Sequence, residues 1–227
     1  MIVYIRQLLS PAEVAEFLRL LNDADWADGR GTTGYLGARV KNNVQLPEMH
    51  PLALQLGNTI LEALGRNAQF RSVALPLKVV PPLFNRYSGG QSYGSHVDGS
   101  IRPVAGSTQS VRTDLSATLF LSDPADYDGG ELAIEDVFGH RSEKLAAGDL
   151  LLYPSTSVHR VMPVTRGARL ASFFWIQSMV RDNEQRALLY ELDAIIQRFG
   201  GAGSAQHEEA VRLAGIYHNL LRLWADT

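Results

Sequence analysis

The chain has 227 residues, enough for one well-buried core, so a single domain with a small appendage is expected. The formal net charge of -3 offers no basic face for nucleic acid, and no apolar run could cross a bilayer, so neither partner is expected. The absence of cysteine excludes disulfides, thiolate metal sites and Fe–S clusters, which leaves nitrogen and oxygen as metal ligands.

The N-terminal part of the chain is predicted to be helical. Its first residues have neither a basic segment nor a cleavage site, so the cytoplasm is the expected location. Ser10-Pro11-Ala12-Glu13 is a capping box with proline at the first helical position, and apolar residues follow at helical spacing. After a Gly-rich loop from Asp28 to Gly37, a second helix is predicted over roughly Pro51–Leu64.

The middle of the chain, from about residue 72 to 178, changes to short strands separated by turns. Leu115–Leu121 alternates as a half-buried strand does, and Phe138-Gly139-His140 indicates a turn. Further strands are predicted over Glu131–Val137, Leu150–Tyr153 and Arg169–Gln177. Several short strands at this spacing favour an all-β sandwich or barrel.

The last part of the chain is predicted to be helical again. Asn183–Phe199 and about Ala205–Trp224 carry apolar residues at helical spacing, with a glycine-rich break at 200–203. We expect one domain over residues 1–178 and a helical extension over 179–227. These helices would cap the core, with a homodimer face as the alternative.

His96-Val97-Asp98 is the first candidate for a metal site. In an extended segment, residues i and i+2 point to the same side, so an imidazole and a carboxylate can converge. His159 lies after several strands and can supply a third ligand. Two histidines and one carboxylate are the ligand set of non-haem Fe(II) oxygenases. Taken alone, the tripeptide is equally typical of a surface turn, and a lone histidine is more often structural.

Arg169 begins the next predicted strand, ten residues after His159. A buried arginine needs an anionic partner. One interpretation is that it binds the far carboxylate of a dicarboxylate co-substrate on the metal. The other is a structural ion pair with an acid such as Asp149, and the spacing does not choose between them.

With these motifs in view, nearly the whole chain resembles the bacterial PKHD-type hydroxylases, a branch related to prolyl 4-hydroxylases within the Fe(II)/2-oxoglutarate oxygenases. The resemblance implies a double-stranded β-helix (jelly roll) flanked by helices. It implies Fe(II) on His96, Asp98 and His159, 2-oxoglutarate on Arg169, dioxygen as co-substrate and ascorbate as auxiliary reductant. The motifs that carry the resemblance are Val40–Gln45, Arg86–Gly90, Tyr93–Asp98, Arg112–Leu121, Tyr127–Leu132, Leu152–Ser155, His159–Val161, Thr165–Arg169 and Phe173–Gln177.

Further positions are candidates for binding co-substrate or substrate. Tyr87 and Thr118 each have two interpretations: a contact to 2-oxoglutarate, or an ordinary core tyrosine and strand threonine. Arg102 and Arg112 flank a loop that is long enough to form a lid. Each arginine either contacts an acidic group of the substrate or is solvated. Lys41, Asn42 and Asn43 follow the Gly-rich loop and line either a substrate entrance or a solvated turn.

The hypothesis favoured by these features is a hydroxylase that oxidises a C–H bond and releases succinate and CO2. The substrate is a peptidyl proline by analogy, or a small molecule linked to iron uptake. A cupin-like isomerase or hydrolase would have no use for Arg169. A non-catalytic or weakly catalytic iron or 2-oxoglutarate sensor would bind both without turnover.

Overall fold

The computed structural model describes residues 1–136, 139–200 and 206–227. Four predicted features lie wholly or partly outside these residues: the turn at 138–140, the last residue of the strand Glu131–Val137, the break at 200–203 and the start of the last helix at 205. The helices are α1 (Pro11–Asn22), α2 (Tyr35–Ala38), α3 (Pro51–Arg66), α4 (Ala68–Ala74), α5 (Asn183–Phe199) and α6 (His207–Trp224).

The capping box predicted before α1 is present in full. The Ser10 hydroxyl accepts from the Glu13 amide at 3.3 Å, and the Glu13 carboxylate accepts from the Ser10 amide at 2.7 Å. These two bonds satisfy amide donors that the first helical turn leaves free. The apolar face of α1 is buried through Val14, Phe17 and Leu21. The helix therefore packs firmly on the sheet beside it.

The strands are short, as the turn-rich middle of the chain predicts. In chain order they are β1 (Val3–Ile5), β2 (Ala27–Asp28), β3 (Lys41–Asn42), β4 (Val44–Gln45), β5 (Pro76–Val79), β6 (Leu83–Ser88), β7 (Ser92–His96), β8 (Ile101–Pro103), β9 (Ser110–Arg112), β10 (Leu115–Phe120), β11 (Asp128–Gly129), β12 (Leu132–Asp136), β13 (Gly139–Glu143), β14 (Leu150–Pro154), β15 (His159–Val161), β16 (Val164–Arg166) and β17 (Ala168–Ser178).

Two sheets form the double-stranded β-helix. The major sheet has the order β1-β14-β10-β17-β6-β4-β2, with β5 paired to β17. The minor sheet has the order β13-β12-β15-β7-β3. Neighbouring strands are antiparallel and mostly distant in sequence, as a folded-over jelly roll requires. The predicted fold class, a mainly β core with flanking helices and a C-terminal helical part, is confirmed.

Strand β10 shows how the sequence places the two cores. Leu115, Ala117 and Leu119 belong to the core between the major sheet and the helices, whereas Phe120 belongs to the core inside the jelly roll. Successive residues of a strand point to opposite faces, so polar residues at even positions face the interior. The expectation that this strand is half-buried is wrong: every residue from Leu115 to Phe120 is buried, because α-helices cover its outer face.

The C-terminal helices pack on each other and on α4. Part of their contact with the rest of the chain is a small apolar cluster of Leu75, Val180 and Leu189, with Tyr217 and Trp224 packed against it. In the part of the chain that the structure describes, no helix has the length and apolar character needed to span a membrane.

Candidate metal centre and active site

The structure brings His96, Asp98 and His159 together inside the jelly roll. His96 ends β7 and pairs in register with His159, the first residue of β15. Asp98 follows two residues after the strand and completes the group. One ligand atom from each residue lies within 4.8 Å of the others. Two imidazoles and one carboxylate at this spacing can hold a divalent cation on one face.

Each imidazole is oriented by a backbone carbonyl of its own segment. His96 Nδ1 donates to the Gly94 carbonyl at 2.8 Å, and His159 Nδ1 donates to the Ser157 carbonyl at 3.1 Å. A carbonyl can only accept, so these bonds place the proton on Nδ1 and leave Nε2 free as a metal ligand. The two Nε2 atoms lie 4.0 Å and 3.7 Å from oxygens of Asp98.

The carboxylate and one imidazole are also prepared by their surroundings. Ser116 on β10 donates to Asp98 Oδ2 at 2.6 Å, and its hydroxyl lies 2.8 Å from that of Ser155. Burial, with the positive charge that His159 would carry, lowers the pKa of His96 to about 4. The His96 ring is therefore neutral near pH 7, the state in which it can bind a metal.

Arg169 lies in the same cavity, on the major sheet. Its side chain is 1% exposed, and Nε and Nη1 have no hydrogen-bond partner among the described residues. Asp149, the structural partner left open above, is paired with Arg6 at 2.5 Å instead. A buried guanidinium without an anion is costly, so this site fits a ligand that brings one.

Tyr87 lies beside this guanidinium, and Thr118 lines the same cavity. Tyr87 is paired in register with Arg169 across β6 and β17, and the guanidinium carbon lies 5.6 Å from its ring centroid. Burial raises the pKa of Tyr87, so its hydroxyl stays protonated and can donate. Both side chains line a cavity of about 1050 Å³ together with the triad and Arg169. That volume admits a co-substrate and part of a second molecule.

The five candidate substrate residues are not all at this cavity. Lys41 and Arg102 line it, whereas Asn42, Asn43 and Arg112 do not. Arg112 instead forms an ion pair with the neighbouring Asp114 and bonds the Ser178 carbonyl. A solvated turn at 41–43 is not what the structure shows, because residues 41 and 42 form strand β3 of the minor sheet and the side chains of Lys41 and Asn43 are buried.

Several residues of the site lie within the motifs named above but received no role from the sequence. The Tyr93 ring stacks on His96 with centroids 3.5 Å apart, and Tyr153 packs edge-on against His159 at 5.1 Å. Ser116 is one serine among many in the sequence. The alternating pattern of strand β10 predicts only that the Ser116 side chain faces the interior. Its contact with Asp98 depends on how the two sheets fold over each other.

Fold and site together define a class of protein. A jelly roll holding two histidines, one aspartate and an unpaired interior arginine is the architecture of a 2-oxoglutarate-dependent Fe(II) hydroxylase. The sequence profile of the 2OG-Fe(II) oxygenase superfamily matches residues 82–177, and that of the PKHD-type hydroxylase C-terminal domain matches residues 183–226.

Close relatives give the family. The chain is 54% identical to a PKHD-type hydroxylase of Bordetella pertussis, over 100% of both chains. It is also 54% identical, with the same coverage, to one of Methylobacillus flagellatus. The chain belongs to the PKHD-type hydroxylase family, as its motifs predict.

Solved structures agree on the fold. A prolyl-4-hydroxylase from Pseudomonas putida superposes with a TM-score of 0.52 at 20% identity, over 78% of this chain and 92% of that one. HygX from Streptomyces hygroscopicus, solved with nickel, 2-oxoglutarate and hygromycin B bound, gives a TM-score of 0.53 at 16% identity, over 79% and 84%. At these identities the likeness concerns the jelly roll alone.

Proposed function

We propose that His96, Asp98 and His159 hold a catalytic Fe(II) ion and that Arg169 binds the far carboxylate of 2-oxoglutarate. The observation that carries this proposal is the buried, unpaired guanidinium on the wall of the cavity that holds the three ligand groups. A dicarboxylate supplies the anion that this cation needs, and a guanidinium can bind it through two parallel hydrogen bonds.

Bound iron would supply activation of dioxygen, the oxidant: one oxygen atom would enter succinate as 2-oxoglutarate loses CO2, and the other would convert a C–H bond to an alcohol. The chain's own part is positioning. His96, Asp98 and His159 would hold the ion through two imidazole nitrogens and one carboxylate oxygen. Arg169, with Tyr87 and Thr118, orients the co-substrate, and the buried walls exclude water. Ascorbate is proposed as auxiliary reductant on the family resemblance.

The substrate proposal rests on analogy. A peptidyl proline is one candidate, because the P. putida protein of similar fold is a prolyl-4-hydroxylase. A small molecule is the other, because HygX binds hygromycin B on the same fold. A link of such a molecule to iron uptake comes from the family resemblance. A cupin-like isomerase or hydrolase is disfavoured, because it leaves Arg169 without a partner. A sensor is the alternative to test.

Anaerobic titration with Fe(II) and 2-oxoglutarate tests the proposal. We expect the weak visible absorption band of the iron–2-oxo acid chelate, and succinate once dioxygen and substrate are admitted. Folded, iron-loaded protein that gives neither band nor succinate contradicts the proposal. A band without succinate under any condition supports a sensor instead.

Two variants test the residue assignments. His96→Ala is expected to lose iron and turnover with the fold retained, whereas His207→Ala on the exposed start of α6 keeps both. Arg169→Ala is expected to raise the 2-oxoglutarate concentration needed for the absorption band while iron still binds. Unchanged iron stoichiometry in His96→Ala rules out this ligand set.

A further inference from the structure

Lys41 is a second buried cation in the active-site cavity. It lies on β3, the edge strand of the minor sheet, in register with Tyr93 of β7. Its side chain is 6% exposed and lines the same cavity as the metal ligands. Arg169 is on the major sheet, so the two cations approach the cavity from different sheets.

The Lys41 ammonium has no counter-charge. It donates to Thr32 Oγ1 at 2.8 Å and to Gln45 Oε1 at 3.2 Å, both neutral acceptors. No described carboxylate lies within ion-pair distance of it. Asp98, the carboxylate in the same cavity, is assigned to the metal. An ammonium has three donors, so one remains for a ligand.

Besides Arg169, two arginines line the cavity with Lys41, and Arg39 is the exposed one, bonded to the Tyr35 hydroxyl. Arg102 is paired with Glu48 and also bonds the Thr32 carbonyl at 3.0 Å. Buried lysines that serve only the fold are normally paired with an acid, because an isolated buried charge is costly. An unpaired Lys41 at a ligand cavity is therefore better explained by a ligand that carries the anion.

Lys41 is also close to the reacting centre. Its Nζ lies 5.1 Å from the centroid of the Tyr93 ring, and that ring stacks on His96. One aromatic ring thus connects the ammonium with a metal ligand. If the anionic group of a ligand bound Lys41, the ligand carbon next to the metal would be several bonds away from that group. The carbon that bears the anion would not be the one that reacts.

The mouth of the cavity has the opposite character. Leu36, Val97 and Ile101 line it and are 75%, 52% and 57% exposed. Exposed apolar side chains gathered at one opening are typical of a binding surface. A ligand that fits both regions has an anionic end and an apolar body.

Resting on the hydroxylase function above, we propose that the substrate is a small organic acid whose carboxylate binds Lys41 and whose apolar body lies between the metal centre and the cavity mouth. The ammonium acts on the substrate and Arg169 acts on the co-substrate. Lys41 is thereby the residue that selects acids over their neutral analogues.

Matched ligands test this assignment on the full-length protein, loaded anaerobically with Fe(II) and saturating 2-oxoglutarate. The probes are 3-phenylpropanoate and 3-phenylpropanamide, which differ in charge and share a body. A proline-containing peptide with a free or amidated C-terminus distinguishes a peptide carboxylate from a small acid. Ligand-observed NMR titration gives the dissociation constants, and the visible band shows in the same sample that iron and 2-oxoglutarate are bound.

We expect the wild type to bind the acid at least about tenfold more tightly than the amide, a difference of about 1.4 kcal/mol. Lys41→Met should abolish this preference, and Lys41→Arg should retain most of it. Lys78→Met, on the exposed face of β5, is the matched control and should bind like the wild type.

Other outcomes overturn the assignment. They are equal affinity of the wild type for acid and amide, including no binding of either, or a preference that survives in Lys41→Met. A preference shown by the peptide alone overturns the small-acid class. A weaker visible band in Lys41→Met at limiting 2-oxoglutarate would place Lys41 in the co-substrate site. A missing band in the wild type is instead a failure of the hydroxylase proposal itself.

Discussion

Single side chains decide how the metal ligands of this cavity are oriented. Asp98 is the clearest case, because its two oxygens have different partners. Ser116 donates to Oδ2 at 2.6 Å, which fixes the rotation of the carboxylate before any metal arrives. Hydrogen bonds of this kind, from groups behind the ligands, typically contribute about 10–100-fold to metal affinity.

Ser116→Ala is therefore expected to weaken Fe(II) binding by about 10–100-fold while the fold is retained. The missing hydroxyl frees Asp98 to rotate and leaves one oxygen without a donor. Anaerobic equilibrium dialysis measures the affinity. Ser172→Ala is the control, because Ser172 is equally buried but bonds the Leu83 carbonyl on the far side of the sheet. Equal iron affinity in both variants would show that Ser116 does not position the ligand.

Lys41 gives the site a pH dependence. Burial, followed by the nearby charge of Arg102, lowers the pKa of Lys41 to about 8, although Asp98, Asp28 and Glu48 act in the opposite direction. The lysine is charged below its pKa and neutral above it. The affinity for an acid probe should thus be constant below about pH 8 and fall about tenfold per unit above it.

A titration of 3-phenylpropanoate binding between about pH 7 and pH 10 measures this dependence. Lys41→Arg should lack the alkaline fall, since a guanidinium stays charged throughout this range. Burial raises the pKa of Tyr93, the ring beside Lys41, so this tyrosine does not supply a competing transition near pH 8. A fall of equal size in wild type and Lys41→Arg would assign it to another group.

At the scale of elements, the turn before β12 supports the co-substrate arginine. Gly129 and Gly130 both have positive φ, at 73° and 69°. A Cβ on Gly130 would lie 2.9 Å from Val164 Cγ2 and 3.1 Å from Arg169 Cδ. The turn therefore needs glycine for its backbone conformation and for the space that the arginine stem occupies.

Gly130→Ala should weaken 2-oxoglutarate binding roughly tenfold, because displacement of a positioning group by less than 1 Å already has effects of this order. The 2-oxoglutarate dependence of the visible band measures it. Gly89→Ala is a matched control: Gly89 also has positive φ, at 56°, but a Cβ there meets nothing within 4 Å. Both variants should lose stability, and only Gly130→Ala should lose co-substrate affinity.

The long helices and the metal-ligand motifs were predictable from the sequence, and the short edge strands were not. The bounds of α5 were predicted correctly, because its apolar period and its breaks are local. Strand β3 has two residues, too few for any periodicity, and its pairing with β7 is what buries Lys41. From the sequence, Asp149 was a possible partner for Arg169. Its actual partner, Arg6, is 143 residues away in sequence and comes close only because β1 pairs with β14.

At the scale of the whole molecule, the C-terminal helices pack on the rest of the chain through α4 and a small apolar cluster. Leu75, at the end of α4, is 4% exposed because Val180 and Leu189 cover it. The chain end is tied back through Asp226, which pairs with Arg112 at 3.4 Å and Arg181 at 3.2 Å. The extension thus contributes apolar burial as well as exposed ion pairs.

A chain ending at Ser178 should lose on the order of 3 kcal/mol of unfolding free energy, since each buried apolar side chain contributes about 1.5–3 kcal/mol. Urea denaturation followed by circular dichroism measures the loss. Deletion of Asp226 and Thr227 alone removes the two Asp226 ion pairs and the hydrogen bond from the Asp226 amide to the Met179 carbonyl, and should cost only about 1–2 kcal/mol. A full truncation as stable as the wild type would show that the helices do not support the domain.

The backbone carbonyls that hold both imidazoles have a consequence for metal exchange. Each bond closes within a two-residue span, from His96 to Gly94 and from His159 to Ser157, and neither depends on the ion. The ligands are therefore already oriented in the empty protein. Chelators should strip the iron without unfolding the chain, and the emptied protein should regain its full spectrum on re-addition of Fe(II), with no slow refolding phase. A protein built this way can alternate between empty and loaded forms as iron supply varies.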